Sequence, residues 1–252
     1  MSGRPQIADS SWSTVTDQRI YAVWMGVIWA AVLLGFVPDL PRYFHESPPP
    51  PSILHFHAAV FFLWLILVTL QILWIETRKF RLHRQMGWLT VGVSALMVPS
   101  VLIAALVDQA RQVGHPDYAP QFLATEFAEA ASFCILMTAG VIFRRNPPAH
   151  KRLMLLSVIS ISDAGSARIF LYTFPIHFPG VAGFFVQAFW GNALILIAIA
   201  AWDFYRRGRL HPAVLYGAAL IWTVEITATI LNFSPTWHRA MARLVSAWGH
   251  AG

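Results

Sequence analysis

From residue 20 to residue 232 the chain is a succession of long apolar runs separated by short polar breaks. A stretch of roughly 18 to 25 apolar residues is what an α-helix needs to cross a hydrocarbon core about 30 Å thick. In lipid, a single segment can satisfy all its backbone N–H and C=O groups only as such a helix. The runs predict about seven spans, near residues 20–37, 53–75, 85–107, 121–143, 152–174, 181–203 and 212–232. With 57% hydrophobic and 12% charged residues, the chain carries more apolar surface than a water-soluble fold of this length can hide. The expected fold class is therefore all-α, a polytopic membrane helix bundle.

The charges between the runs set an orientation. Arg78, Lys79, Arg81 and Arg84 follow the second run, Arg144, Arg145, Lys151 and Arg152 the fourth, and Arg206, Arg207 and Arg209 the sixth. The intervening breaks hold only Arg42, only Arg111, and no Lys or Arg at all. Because basic loops stay in the cytosol, residues 1–19 are expected to form a cytosolic segment and residues 233–252 to lie on the periplasmic side of a bacterial inner membrane. The net charge of +6 is thus a matter of topology, and nucleic acid is not an expected partner. The first run lacks a small-residue cleavage pattern and is read as a retained helix.

Local signals mark several boundaries. Pro48-Pro49-Pro50-Pro51 cannot continue a helix, and Ser52 is a candidate N-cap for the second span. Pro99 is expected to kink the third. After the seventh span, Ser234-Pro235 opens a helix in which Trp237, Met241, Leu244, Val245 and Trp248 recur at helical spacing, opposite Arg239, Ala242, Arg243 and Ser246. This pattern predicts an amphipathic helix at the outer interface. The single cysteine, Cys134, lies within an apolar run, so neither an intramolecular disulfide nor a CxxC motif exists.

The histidines fall into two sets. His83, His150 and His211 each open an outward-going span beside Arg or Lys, where a headgroup-boundary position is the simplest reading; at one common depth they also offer a metal or haem site. His45, His55, His57, His115, His177 and His238 are on the opposite side, mostly in loops. His55 and His57 sit in the first turns of the second span, about 200° apart around a helix. His57 shares a stripe with Trp64 and Gln71 and is the one expected to face inward.

Five ionisable residues lie inside spans: Glu126 and Glu129 in the fourth, Asp163 and Arg168 in the fifth, Glu225 in the seventh. Such groups are costly in hydrocarbon and normally face protein or water with a partner. At about 1.5 Å of rise per residue, these and His57 all fall roughly 5 to 13 Å below the outer face. Glu126 and Glu129, three residues apart, share a helical face. Asp163 and Arg168 do not, so Arg168 is expected to reach a carboxylate on a neighbouring span. A packing network is one reading; four acids against one arginine leave charge for protons, a metal or another cation to balance.

HFHAAVFFLWLILVTLQ, HRQMGW and RRNPPAHKRLM, between residues 53 and 170, resemble a group of uncharacterised bacterial multi-pass membrane proteins with HxH, HRxxGW and HKRLM elements. That resemblance implies an inner-membrane setting and no particular activity. The histidines near helix ends also look loosely like those of transmembrane b-type cytochromes.

Three functions remain open. The first is a periplasm-facing site of His57, Glu126 and Glu129, completed by Glu225 or Asp163, holding iron, manganese or zinc for redox or hydrolytic chemistry on a lipid-soluble small molecule. In the second, a proton- or cation-coupled transporter or channel, the same acids carry protons and Arg168 binds an anion. The third is a haem b electron carrier using His83 with His150, or His57 with an outer-loop histidine.

Overall fold

The computed structural model describes residues 15–47, 49–116, 118–174 and 178–249. His177, most of the N-terminal segment, Pro48 and the last three residues therefore lie outside the described residues. Ten helices are described: α1 (Val15–Phe36), α2 (Leu40–His45), α3 (Ser52–Glu76), α4 (Phe80–Arg111), α5 (Leu123–Ile142), α6 (Pro147–Ile159), α7 (Asp163–Thr173), α8 (Gly180–Arg207), α9 (Pro212–Asn232) and α10 (Pro235–Gly249). No strand occurs among the described residues.

Six of the described helical segments are long and apolar enough to cross a membrane, and α6 with α7 supplies a seventh as a bent pair. The chain is a multi-pass integral membrane protein. Large apolar side chains on the outside of the bundle need the bilayer as their solvent: Leu34, Trp88 and Ile142 are 63%, 62% and 65% exposed. Inside, Trp64 stands edge-on to Phe133 with ring centroids 4.9 Å apart, within a core that includes Ile28, Leu136, Leu156, Ile159 and Ile221.

Neighbouring helices pack mainly along the chain, α3 on α4, α4 on α5 and α5 on α6, with α9 against α5 and α7 between α1 and α8. The basic loops after α3, α5 and α8 share one end of the bundle, here called the arginine-rich end. At the other end lie the segments after α2, α4 and α7.

Two boundaries differ from the sequence expectation. Helix α3 opens one residue earlier, with Pro51 as the N-cap residue and Ser52 already helical. Pro99 sits inside α4, which continues as one helix on both sides of it. The fifth span is not one helix over 152–174: it begins at Pro147, stops at Ile159 and resumes at Asp163 with a 40° bend. The early start follows from Asn146, whose side chain accepts from Ala149 N ahead of Pro147 at the first position. The break has a serine cause. Ser160 and Ser162 hydroxyls donate to Ser157 O and Ile159 O, each at 3.0 Å, and the backbone tightens to i→i−3 bonds from Ile161 and Ser162.

Close glycine contacts hold α7 in place. A Cβ on Gly35 of α1 would collide with the Gly165 carbonyl, and one on Gly191 of α8 with the Ser166 side chain. Small residues permit this backbone approach where helices meet in lipid. Helix α10 packs on α4 and on the turn that leads into α5. Val245 is fully buried there, and Trp237 Nε1 donates to Gln121 O at 3.1 Å. The amphipathic helix thereby clamps the start of the helix that carries Glu126 and Glu129.

Candidate functional site

A cavity of about 890 Å³ runs from the end opposite the arginine-rich loops down towards the α6–α7 break. Its rim includes Arg42, Tyr43, Glu46 and Gln112, its walls Phe36, Phe61, Phe62 and Phe133, and its floor Glu126, Glu129, Ile161 and Ala164. Of the residues singled out in the sequence, His57, Glu126, Glu129 and Arg168 line this one space. Such a volume falls within the range of small-molecule pockets.

Each polar group around the floor has a definable state. Glu126 and Glu129 are half-buried one turn apart on α5. The Glu126 carboxyl forms no ion pair or hydrogen bond among the described residues. Glu129 and Asp163 come close enough for a side-chain hydrogen bond; two carboxylates have no donor to offer each other, so such a bond requires a proton on one of them. Asp163 is 2% exposed and its Oδ1 has no partner. Glu225 stands behind, accepting from Asn192 Nδ2 at 2.9 Å, with Oε2 unpartnered; Asn192 Oδ1 lies 3.1 Å from Ser162 Oγ and shares that hydroxyl's one proton with Ile159 O. Neither Asp163 nor Glu225 lines the cavity.

Arg168 finds the neighbouring carboxylate that its position on α7 calls for. It is Asp39, just past α1, at 3.4 Å. Asp39 also accepts from Arg42 at 2.9 and 3.1 Å and from Tyr172 Oη at 2.8 Å. Arg168 donates to Ala164 O at 2.8 Å and lies 4.2 Å over the Phe36 ring. His57 is the more inward of its pair: its Nδ1 is 3.1 Å from Ser100 Oγ on α4, while His55 is exposed.

The residues offered as metal ligands do not assemble as a ligand set. Among the described residues no three His, Cys, Asp or Glu side chains form a group able to hold a metal ion. His57 is turned to Ser100, Glu129 to Asp163 and Glu225 to Asn192, so the donors are distributed over three separate contacts.

At the arginine-rich end, two of the three boundary histidines meet. The His83 and His150 rings are edge to face with centroids 6.3 Å apart. His150 Nδ1 donates to Gly140 O at 2.7 Å, which leaves its Nε2 lone pair as the free position. In the amide orientation that satisfies all its neighbours, Gln71 donates to His83 Nδ1 at 2.6 Å. His211 stays apart as the N-cap of α9, accepting from Ala213 N at 3.0 Å. Burial, and after it the Arg152 charge, pushes His211 down to about 4.

Sequence reasoning missed a buried ion pair at this end. Arg152 donates to both Asp203 oxygens, at 2.6 and 3.0 Å, with both side chains 3% exposed, and Arg207 adds a contact at 3.3 Å. Arg152 is thus not a loop charge, because α6 starts at Pro147 and carries it into the bundle. The one available signal was Asp203, an acid at the end of an apolar run. Asp39 and Asn192 were missed as well, being an acid beside a proline and a neutral amide that charge counting passes over.

Comparison with known proteins yields no matching family model, no curated relative and no similar solved structure.

Proposed function

We propose that this membrane protein is a cation-coupled carrier that takes a small molecule into the cavity and exchanges it against a proton held by the Glu129–Asp163 pair. One observation supports this above the others. A buried carboxyl at the break of a discontinuous span is in hydrogen-bond contact with a carboxyl on a cavity floor. Membrane carriers build substrate and ion sites where a helix is interrupted near mid-membrane, and intramembrane acids serve as their proton relays. Here the bend at residues 160–162 supplies the interruption. Glu126 and Glu129 supply the charge on the substrate side, and Asp163 supplies the proton partner behind it.

Dicyclohexylcarbodiimide, an apolar reagent that captures protonated carboxyls, tests the reading on the full chain in lipid vesicles. Mass spectrometry is expected to find Glu129 or Asp163 modified, less so as pH is raised, with Glu129→Gln abolishing the label at both. Failure to modify either residue overturns the proposal. A stoichiometric metal lost on Glu129→Gln would replace it with a metal-dependent membrane enzyme.

A second reading, a haem b electron carrier, draws on the His83–His150 contact and the free His150 Nε2. Its signature is a Soret band in the purified protein that His150→Gln removes.

A further inference from the structure

We infer that the ligand of this cavity is a lipophilic organic cation, an amine or quaternary onium group on an apolar body. The inference rests on reading the cavity as a carrier's binding site and adds the charge and shape of what binds.

The first argument is the sorting of charge. At the rim and along the α7 wall every charge has an opposite partner: Arg42 and Arg168 on Asp39, and Glu46 and Asp108 on Arg111. On the floor no carboxyl is in an ion pair among the described residues. Glu126 makes none, and the neighbour of Glu129 is another acid, Asp163, whose Oδ1 is buried without a partner. The Arg168 charge acts on Glu126 and Asp163 only through space, because its guanidinium is turned to Asp39 and Ala164 O and capped by Phe36. Carboxyl groups at this depth call for a compensating cation, and no side chain among the described residues contacts them to supply one.

The second argument is the wall. Above the acids, Phe61, Phe62 and Phe133 line the space together with Met97, Val98 and Val101. Aromatic faces attract cations that have shed much of their water, and aliphatic walls favour an apolar body. A small inorganic cation would leave most of an 890 Å³ space unfilled and would meet only two carboxyls there, too few ligands for a hard divalent ion.

The third argument is access. The α1–α2 side of the cavity carries Leu33, Val37, Leu40 and Phe44, which are also among the exposed large apolar residues. A molecule already partitioned into the bilayer interface meets side chains of its own polarity on that side.

Binding is then a charge-balanced exchange. One organic cation settles between Glu126 and Glu129, and the proton shared by Glu129 and Asp163 leaves to the solvent, so the net charge of the floor is unchanged and no covalent bond to carbon is made or broken.

Tetraphenylphosphonium and tetraphenylborate, which share a shape and differ in the sign of charge, test the inference by equilibrium dialysis against the detergent-purified full chain. The phosphonium is expected to bind saturably with release of protons into weak buffer, and the borate not to bind. Glu126→Gln is expected to weaken the phosphonium at least tenfold, while His83→Gln leaves it unchanged. In the wild-type chain, saturating phosphonium is expected to protect Glu129 and Asp163 from the carbodiimide, which keeps the test sound if the variant does not fold. Binding of the borate in place of the phosphonium would overturn the cation class and point to Arg168. Binding of neither, or equal affinity in Glu126→Gln, would also overturn it. Carbodiimide labelling without phosphonium binding removes this inference and leaves the carrier reading standing; absence of labelling removes the carrier reading itself.

Discussion

Replacing Asp203 with Asn should destabilise the bundle more than any change at an exposed loop charge. Asp203 accepts from Arg152 at 2.6 and 3.0 Å and from Arg207 at 3.3 Å, and the three side chains are 3%, 3% and 7% exposed. Asn keeps the shape and one acceptor oxygen but removes the negative charge that both guanidinium groups contact in a poorly solvated position. Removing one partner of a buried pair costs about 3–5 kcal/mol. At roughly 2–4 °C per kcal/mol for a chain of this size, the midpoint should fall by about 6–20 °C. The assay is loss of monodisperse protein on heating, followed by size exclusion in detergent and again in lipid nanodiscs. The double variant Arg152→Met with Asp203→Leu should recover at least half of the loss, since it removes both members of the buried pair together. A shift under about 2–4 °C for Asp203→Asn, corresponding to no more than ~1 kcal/mol, would refute the reasoning. So would a double variant no better than the single.

In a Cys134→Ser background, a cysteine replacing Phe80 should be shielded from an impermeant thiol reagent in intact cells and one replacing Phe178 should react; the opposite pattern reverses the orientation drawn from the basic loops. Trp248, 40% exposed on α10, should be quenched by probes at the lipid interface, and quenching at bilayer-centre depth would contradict an interfacial α10. His211, held down to about 4 by burial, is expected to remain neutral in the folded chain while the unfolded chain takes up a proton below about pH 6.5. The wild type should therefore lose stability as pH falls from about 6.5 to 4. His211→Asn, which keeps a capping acceptor, should lose less over that window, and an identical pH slope in the two proteins would remove His211 from the account.

What could be read from the sequence was what the bilayer dictates. Span lengths, the sharing of one end by the basic loops and the amphipathic pattern of α10 all follow from polarity summed over many residues, and those sums are robust to local detail. The convergence of His57, Glu126, Glu129 and Arg168 was also legible, because helical rise turns a position in the chain into a depth. The serine break was not. Ser160 and Ser162 barely change hydropathy, and their effect comes from hydroxyls that compete for backbone carbonyls. The pairing of Arg152 with Asp203 was hidden by a start assigned five residues too late, which put Arg152 at the headgroups. Asp39 was hidden differently, since a partner 129 residues from Arg168 leaves no periodic trace.

The break and the site are linked through what anchors each half of the span. Helix α6 is fixed at the arginine-rich end by Arg152 on Asp203 of α8. Helix α7 is fixed at the cavity end by Arg168 and Tyr172 on Asp39 and by glycine contacts to α1 and α8. Between these anchors only Ser160, Ile161 and Ser162 lie outside the α-helical ladder, and Asp163 follows them directly. Any relative movement of the halves must be absorbed at these three residues, as hinge motions are taken up by a few positions at element ends. Such movement would also change how Asp163 meets Glu129, because the two carboxyls ride on different helices. In the carrier proposal this is what couples proton to substrate: the residue that holds the proton partner is also the first residue beyond the hinge. A continuous helix over the same stretch would place Asp163 with equal burial but would fix its distance to α5, and loss of the proton would then have no mechanical consequence.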